Sequence, residues 1–143
     1  MNLLLTDIVL RQKAEPATGP LPFGFIRAMF GLMRKNHGVG LAAPQVGYSL
    51  RVFVTDVPGD KPRVFVNPEI IGFDHHYTEL SEEGCLSFPG LFVPIRRPTG
   101  VFIRALDKKG RPFSLDAAGL LARCIQHEYE HLDGIVITDR RQA

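Results

Sequence analysis

The segment formed by residues 114–134 constrains the fold most, because it joins helical periodicity to two histidines that lie four residues apart. It reads SLDAAGLLARCIQHEYEHLDG, and Asp116 and Gly134 are typical residues for the two ends of a helix. On a helix, His127 and His131 lie on one face, one turn apart, where both imidazoles can reach one metal ion. Taken alone, the pair is also compatible with two unrelated surface histidines.

The rest of the chain predicts one more helix and several strands. Apolar residues recur at helical spacing between about residues 22 and 36, and Gly38 is expected to end that helix. β-Branched and aromatic residues, bounded by turn residues, predict strands at 51–57, 63–70, 75–84, 99–107 and 111–117. This order predicts an α+β fold, with small antiparallel or mixed β-sheets around a C-terminal metal-binding helix.

Composition narrows the class of protein. The chain has 143 residues, 22% charged residues and a net charge of +2, which predicts a single domain over residues 1–143 without a nucleic-acid surface. No apolar stretch approaches the ~20 residues of a membrane span, and no basic leader precedes the first leucines. Two cysteines, at 85 and 124, favour a reduced, cytoplasmic protein. The arginine pairs at 96–97 and 140–141 are expected to be solvated.

A third metal ligand would come from a cysteine, and two cysteines compete for that place. Cys124 precedes His127 by three residues and could complete a closed structural zinc site with Cys85, His127 and His131. Three ligands from one helix at these spacings would be strained, so we predict that Cys124 is a core residue. Cys85 follows Gly84 on another segment and can approach from the opposite side. We therefore predict Cys85, His127 and His131 as ligands, with a fourth position open.

An open metal site next to a glutamate predicts amide hydrolysis. The metal would activate a water and polarise a carbonyl, while Glu128 would take the proton and pass it to the leaving amine. The string HEYEH leaves a second possibility, in which Glu130 is the acid. The stretch GVGLAAPQVG, residues 38–47, adds Gln45 as a candidate donor to the oxyanion, although by itself it is more typical of a glycine-rich turn into a strand.

Three stretches together resemble the peptide deformylases. They are GVGLAAPQVG, EGCLS at 83–87 and QHEYEH at 126–131, and they occur in the order found in that family. The resemblance covers nearly the whole chain. It implies a cytoplasmic enzyme of protein biosynthesis that removes the formyl group from formyl-methionyl nascent peptides and releases formate. It also implies one divalent metal ion, with Fe(II) as the expected metal and Zn, Ni or Co as alternatives.

The resemblance assigns the metal and catalytic residues by position. Cys85, His127 and His131 match the metal ligands, and Glu128 matches the general acid and base. The oxyanion donors match the Gln45 side chain, joined by the backbone N–H of Leu86. Since all reacting groups have a counterpart in this sequence, the resemblance supports catalysis over a purely structural zinc site.

Other positions concern the substrate. Val39 and Gly40 match backbone positions that hold the peptide like an added strand. Arg123 lies beside the pocket for the methionine side chain, where its stem could line the pocket or its charge could alter the preference for methionine. Phe92 stands where some members carry an arginine near the peptide. Arg123 therefore leaves open an amidase acting on a different N-acyl substrate.

Two further departures from the family pattern lead to expectations. The family usually has aspartate where this chain has Glu130, and we expect a salt bridge there or a contact that orients a ligand histidine. Glu83 is a second candidate for such a contact. Because only 12 residues follow His131, we expect no ribosome docking through a C-terminal helix, and no partner other than the peptide substrate is implied.

Overall fold

Three α-helices and seven β-strands make up the regular structure of residues 1–5 and 7–140, the part of the chain that this computed structural model describes. The helices are α1 (Asp7–Leu10), α2 (Phe25–Lys35) and α3 (Gly119–Leu132). The strands are β1 (Gly40–Ala42), β2 (Val52–Thr55), β3 (Arg63–Phe73), β4 (Thr78–Cys85), β5 (Phe88–Pro98), β6 (Gly100–Leu106) and β7 (Pro112–Ala118). Short 3₁₀ helices span Ala43–Val46 and Ile137–Arg140. No helix within these ranges is long and apolar enough to cross a membrane.

The strands form two separate sheets. Five strands pair in the order β1-β2-β3-β6-β7, and β4 pairs only with β5 in a two-stranded ribbon. Every pairing between these strands is antiparallel, including the β6–β7 hairpin that the sequence predicted. The α+β prediction is therefore confirmed.

The larger sheet is covered on both faces, as the alternation along β2 shows. Phe53 points into a cluster shared with Phe65 and Ile125 of α3. Its neighbours Val52 and Val54 point into the cluster that contains Met29 and Met33 of α2. Successive side chains of a strand face opposite ways, so α3 lies against one face of the sheet and α2 against the other. This packing fixes α3, the helix that carries the histidine pair.

The ribbon contains a strand that the sequence prediction missed. The segment 88–98 has prolines at 89, 94 and 98, and proline argues against a strand because it cannot donate to the ladder. Pro94 and Pro98 are an even number of residues apart, so their missing donors face the same edge. In a two-stranded ribbon each strand has one edge that needs no strand partner, and an edge of this kind can accommodate both Pro94 and Pro98. Pro89 lies next to the register irregularity between Gly84 and Cys85.

Two predicted helix ends were wrong in detail. Asp116 does not cap α3, because β7 continues to Ala118 and the helix begins at Gly119 with a φ of 62°. Helix α2 ends at Lys35, and the left-handed residue that follows it is His37, at a φ of 59°, not Gly38. Gly38 instead gives room to Leu86, since a Cβ there would lie 2.7 Å from Leu86 Cδ1. Gly134 does follow α3 with a φ of 75°, as expected.

Candidate active site

The three predicted metal ligands lie together, although they come from two different units. Cys85 ends β4, whereas His127 and His131 lie one turn apart on α3. Their ligand atoms are all within 4.8 Å of one another, and Cys85 Sγ is 3.4 Å from His131 Nε2. One thiol and two imidazole nitrogens at this spacing are a donor set that suits a borderline divalent cation.

The charge state of the two imidazoles fits a cation site. Burial lowers the pKa of His131 well below its ordinary value, which keeps this ring neutral, the form that binds metals. Burial also opposes protonation of His127, but Glu128, Cys85 and Glu83 outweigh it and raise the pKa of His127 well above its ordinary value. The groups that raise the pKa of His127 are acidic, so the site carries excess negative charge, which a bound cation would neutralise.

Glu83 fixes the orientation of His127. Its Oε1 accepts from His127 Nδ1 at 2.9 Å, which directs the Nε2 lone pair of that ring away from Glu83. Its carboxylate also accepts two hydrogen bonds from Arg97, at 2.6 and 2.9 Å. Burial raises the pKa of Glu83, but the bonds from His127 and Arg97 prevail and lower it to about 2. Glu83 is therefore a permanent anion behind the metal ligand.

Glu128 and Glu130, the two candidate acids of HEYEH, occupy different environments. Glu128 is 4% exposed, its Oε2 lies 3.9 Å from His127 Nε2, and its Oε1 has no hydrogen-bond partner among the described residues. Glu130 points elsewhere and accepts from Arg97 Nη1 at 2.8 Å and from Arg140 Nε at 2.5 Å. The salt bridge expected for Glu130 is present, and Glu128 is the carboxylate at the ligand cluster.

The surroundings of Glu128 account for its raised pKa and for the glycine at position 40. Burial raises the pKa of Glu128 to about 7, within the range that suits a group that both accepts and donates a proton. At Gly40, a Cβ would lie 2.7 Å from Glu128 Oε2 and 2.7 Å from Cys124 Sγ. Only glycine therefore lets strand β1 approach this carboxylate.

Gln45 is held rigidly on the 3₁₀ helix after β1. Its Oε1 accepts from the backbone N–H of Ala42 at 2.9 Å, so the amide nitrogen faces the other way. That nitrogen lies 3.5 Å from Cys85 Sγ and donates to Ser87 Oγ at 3.2 Å. Gln45 is 1% exposed, and its N–H groups are directed to the cluster.

Cys124 is separate from the ligand cluster. Its Sγ donates to the carbonyl of Val39 at 3.5 Å, and burial raises the pKa of its thiol well above the ordinary value. In the ranges 1–5 and 7–140, the group of ligand atoms that could hold a metal contains Cys85, His127 and His131 but not Cys124. This agrees with the prediction that Cys124 is a core cysteine.

A cleft of about 480 Å³ opens beside the three predicted metal ligands, and the other predicted residues line it. The edge strand β1 borders it through Val39 and Gly40, and Leu86 contributes from the ribbon side. Arg123 also borders the cleft, and its guanidinium is hydrogen-bonded to Glu83 and to backbone carbonyls of the ribbon. Phe88, Leu91, Phe92 and Leu120 add an apolar lining.

Sequence reasoning missed Arg97 and Ser87. Arg97 was expected to be solvated and is instead 5% exposed, between Glu83 and Glu130. Ser87, 2% exposed, holds the Gln45 amide. A signal for Arg97 existed, since a buried carboxylate such as Glu83 requires a cationic partner, but nothing local identified which arginine would supply it.

Comparisons with known proteins agree with this geometry. The sequence model of the polypeptide deformylase family matches residues 3–143. Peptide deformylase 1 of Clostridium perfringens (strain 13 / Type A) is 50% identical over 115 residues, which cover 80% of this chain and 77% of that protein. The crystal structure of peptide deformylase from Thermotoga maritima has a TM-score of 0.92 and 40% identity, covering 99% of this chain and 97% of that one.

A second solved structure was determined with a bound compound. The peptide deformylase from Synechococcus elongatus, in complex with actinonin, has a TM-score of 0.92 and 40% identity. The match covers 99% of this chain and 80% of that chain. Likeness of sequence and of structure extends over the elements that carry Gln45, Cys85 and the histidine pair. This chain belongs to the peptide deformylase family.

Proposed function

We propose that this chain is a cytoplasmic, metal-dependent peptide deformylase that hydrolyses the formyl group from formyl-methionyl nascent peptides and releases formate. Membership of the family supports the reaction. The observation that carries the residue assignment is the meeting of Glu128 with Cys85, His127 and His131 at the end of one cleft. We place the whole activity in one catalytic domain formed by residues 1–143.

Cys85, His127 and His131 would hold the metal ion. When bound, a divalent cation supplies Lewis-acid activation of the attacking water and of the formyl carbonyl. The thiol and imidazole donors suit Fe(II), which we propose as the physiological metal, and they also accept Zn, Ni or Co. Glu83 supports the site by keeping the proton of His127 on Nδ1, so that Nε2 is free to coordinate.

Glu128 would move the proton during hydrolysis. A new bond forms between the water oxygen and the formyl carbon, and the bond between that carbon and the peptide nitrogen breaks. Glu128 accepts the proton that the water gives up and delivers it to the leaving nitrogen, which becomes the free amino terminus. Its carboxylate suits both steps, because Oε1 has no other partner among the described residues and burial raises its pKa to about 7.

Gln45 and Leu86 would stabilise the oxyanion of the formyl carbon. The Gln45 amide cannot readily turn round, because its oxygen is held by the N–H of Ala42. The backbone N–H of Leu86, the residue after Cys85, would be the second donor, from the ribbon side. Preorganised donors stabilise charge without reorganisation during the reaction, and loss of one such donor typically lowers kcat by about 10²–10³-fold.

The peptide would bind along strand β1. This strand is the outermost of its sheet, and Val39 and Gly40 border the cleft. Backbone hydrogen bonds to an added strand give affinity with little demand on sequence, as an enzyme acting on many nascent chains requires. The apolar side chains of Leu86, Phe88 and Leu91 would surround the methionine side chain.

The test is formate release from formyl-Met-Ala-Ser by protein loaded with Fe(II) without oxygen, or with Ni(II). Removal of a general acid–base group costs about 10²–10⁴-fold, so we expect Glu128→Ala to lose at least 10²-fold in kcat while still binding metal. Arg104→Met is the control, because Arg104 pairs with Glu69 on the exposed face of the large sheet. Wild type releasing formate no faster than Glu128→Ala would refute the proposal.

A further inference from the structure

Among the described residues, the hydrophobic cluster of the β4–β5 ribbon, which supplies Cys85, is separate from the cluster that α3 joins. The ribbon that ends in Cys85 packs its Val93 and Ile95 against Ile137. Helix α3 buries Ile125 and Leu132 in the cluster of the large sheet. Leu86, the neighbour of Cys85, packs against the cluster that contains Met33 of α2, so the distance between the ribbon and α3 depends on contacts outside these two clusters.

Polar contacts of Arg123 span this gap. From the first half of α3, its Nη1 donates to Glu83 Oε2 at 2.5 Å and to the carbonyl of Ile95 at 3.1 Å, while Nη2 donates to the carbonyl of Glu79 at 2.6 Å. Glu79 and Glu83 lie on β4, and Ile95 lies on β5. One guanidinium thus holds both strands of the ribbon, and its side chain is only 13% exposed.

A second attachment lies further along the helix. Arg97 of β5 reaches Glu130 of α3 at 2.8 Å, and Gln126 donates to the carbonyl of Pro98 at 2.9 Å. Arg123 and Glu130 are separated by about 10 Å of helix. Between these two places, Glu83 of β4 also accepts from His127 of α3, so the ribbon is held at both ends and at the middle of this stretch of helix. Loss of Arg123 would remove the contacts at the N-terminal end and allow the ribbon to turn and carry Cys85 away from the histidines.

We infer that Arg123 is a positioning residue that docks the β4–β5 ribbon on α3 and so holds Cys85 at the distance from His127 and His131 that metal binding requires. The inference rests on the proposed metal-dependent function. Arginine suits this task because its planar group offers several donors in a fixed fork, whereas lysine is a point charge.

The same contacts argue against a role for Arg123 in reading substrate charge. An arginine that recognises an acidic side chain in the cleft must direct N–H groups to it. Both terminal nitrogens of Arg123 are instead bonded to the ribbon. We therefore expect substitution of Arg123 to change metal retention and kcat, and to leave KM for formyl-Met-Ala-Ser within about twofold.

The experiment compares Arg123→Met with wild type after loading with Co(II). It measures the rate of metal loss to excess chelator, and the absorption band of the sulfur–Co(II) bond, which reports the placement of Cys85. Removal of a contact behind a metal ligand typically costs about 10–100-fold in metal affinity, so we expect metal loss at least tenfold faster and a weaker, shifted band. Arg123→Lys should lie between Arg123→Met and wild type, and Arg104→Met should match wild type.

Three outcomes would overturn the inference. Arg123→Met could keep the wild-type rate of metal loss and the wild-type band, even if its melting temperature falls. Its defect could appear in KM alone. If Arg123→Met does not fold, Arg123→Lys is measured in its place. Metal retention by Arg123→Lys equal to that of wild type would then refute the positioning role of the Arg123 guanidinium.

Cys85→Ser separates this inference from the proposed function. If Cys85→Ser retains metal as tightly as wild type, the proposed ligand set is wrong whatever Arg123 does. If Cys85→Ser loses metal and Arg123→Met does not, only the positioning role of Arg123 fails.

Discussion

Helix α3 and the β4–β5 ribbon both supply metal-ligand candidates, but different forces anchor them. Helix α3 is held by apolar packing, with Ile125 fully buried in a cluster that includes the stacked rings of Phe53 and Phe65, 4.5 Å apart. The ribbon has a small cluster of its own and meets α3 through buried ion pairs. The position of the histidines therefore depends on hydrophobic burial, whereas the docking on α3 of the ribbon that carries Cys85 depends on ionic contacts.

The buried ion pairs of Arg97 with Glu83 and Glu130 form what we call the ribbon junction. Burial of these charges costs free energy, and removal of one of them costs more. Glu83 and Glu130 are both buried for most of their side chains, and Arg97 contacts both carboxylates. A buried charge pair gains little net stability over apolar packing, but removal of one partner leaves the other uncompensated. The ribbon thus gains a defined orientation on α3 from a junction that fails sharply when one charge is lost.

The largest effect is expected from Arg97→Met, which breaks this junction at its centre. The substitution leaves two buried carboxylates short of their cation, and loss of one partner of a buried pair costs about 3–5 kcal/mol. We expect the free energy of unfolding of the metal-free protein to fall by that amount in urea denaturation. The Co(II) band should also weaken, because Cys85 loses its fixed position.

A matched variant on the α3 side sharpens the contrast. Ile103→Ala opens a cavity in the cluster that supports α3, and such truncations cost about 2–5 kcal/mol. The loss of stability is similar, but the ribbon junction is intact, so metal retention by the folded protein should match wild type. Equal loss of metal from both variants would show that metal retention follows global stability and that the two anchors do not differ.

This contrast also explains which parts the sequence could predict. Helix α3 and its histidine pair follow from local periodicity, and the hairpin of β6 and β7 follows from a local turn. Cys85 was identified because a second segment had to approach the histidines from the opposite side. Each of these inferences uses residues that are close along the chain, or a ligand requirement that few residues can meet.

The ribbon junction lay beyond sequence reasoning because it is non-local. Arg97 meets carboxylates 14 and 33 residues away, and only the folded chain reveals that they converge. Asp116 failed as a helix cap for a related reason, since pairing of β7 with β6 extends the strand past it. The preference of aspartate for a helix N-cap was outweighed by the hydrogen bonds between β6 and β7.

Glu130→Asp is a smaller change to the ribbon junction than Arg97→Met. Aspartate keeps the charge but is shorter by one methylene, so it can keep one of the two arginine contacts at best. Because Glu130 is directed at Arg97 and Arg140 and not at the ligand cluster, we expect formate release to stay within about tenfold of wild type, near 1.4 kcal/mol of barrier. A defect as deep as that of Glu128→Ala would mean that Glu130 is the working acid.

The smallest effect concerns Asp139, near the ribbon cluster. The N–H of Val136 and the guanidinium of Arg11 lower the pKa of Asp139 below its ordinary value. A depressed folded-state pKa means that its stabilisation is fully present above the unfolded value, near 4, and is lost as pH falls through the folded value. Since Asp139 is partly exposed, we expect a loss under about 1 kcal/mol.

The measurement for Asp139 is urea denaturation of wild type and Asp139→Asn at pH 6 and pH 3. Asparagine cannot titrate, so the difference in stability between the two proteins should shrink at pH 3, below the unfolded-state value near 4, where the unfolded chain takes up the proton more readily than the folded protein. A difference that stays constant, or grows on acidification, would contradict the depressed pKa. Metal retention should change far less than in Arg97→Met, because the hydrogen bonds of Asp139 within the described part of the chain go to Arg11 and Val136 and not to α3.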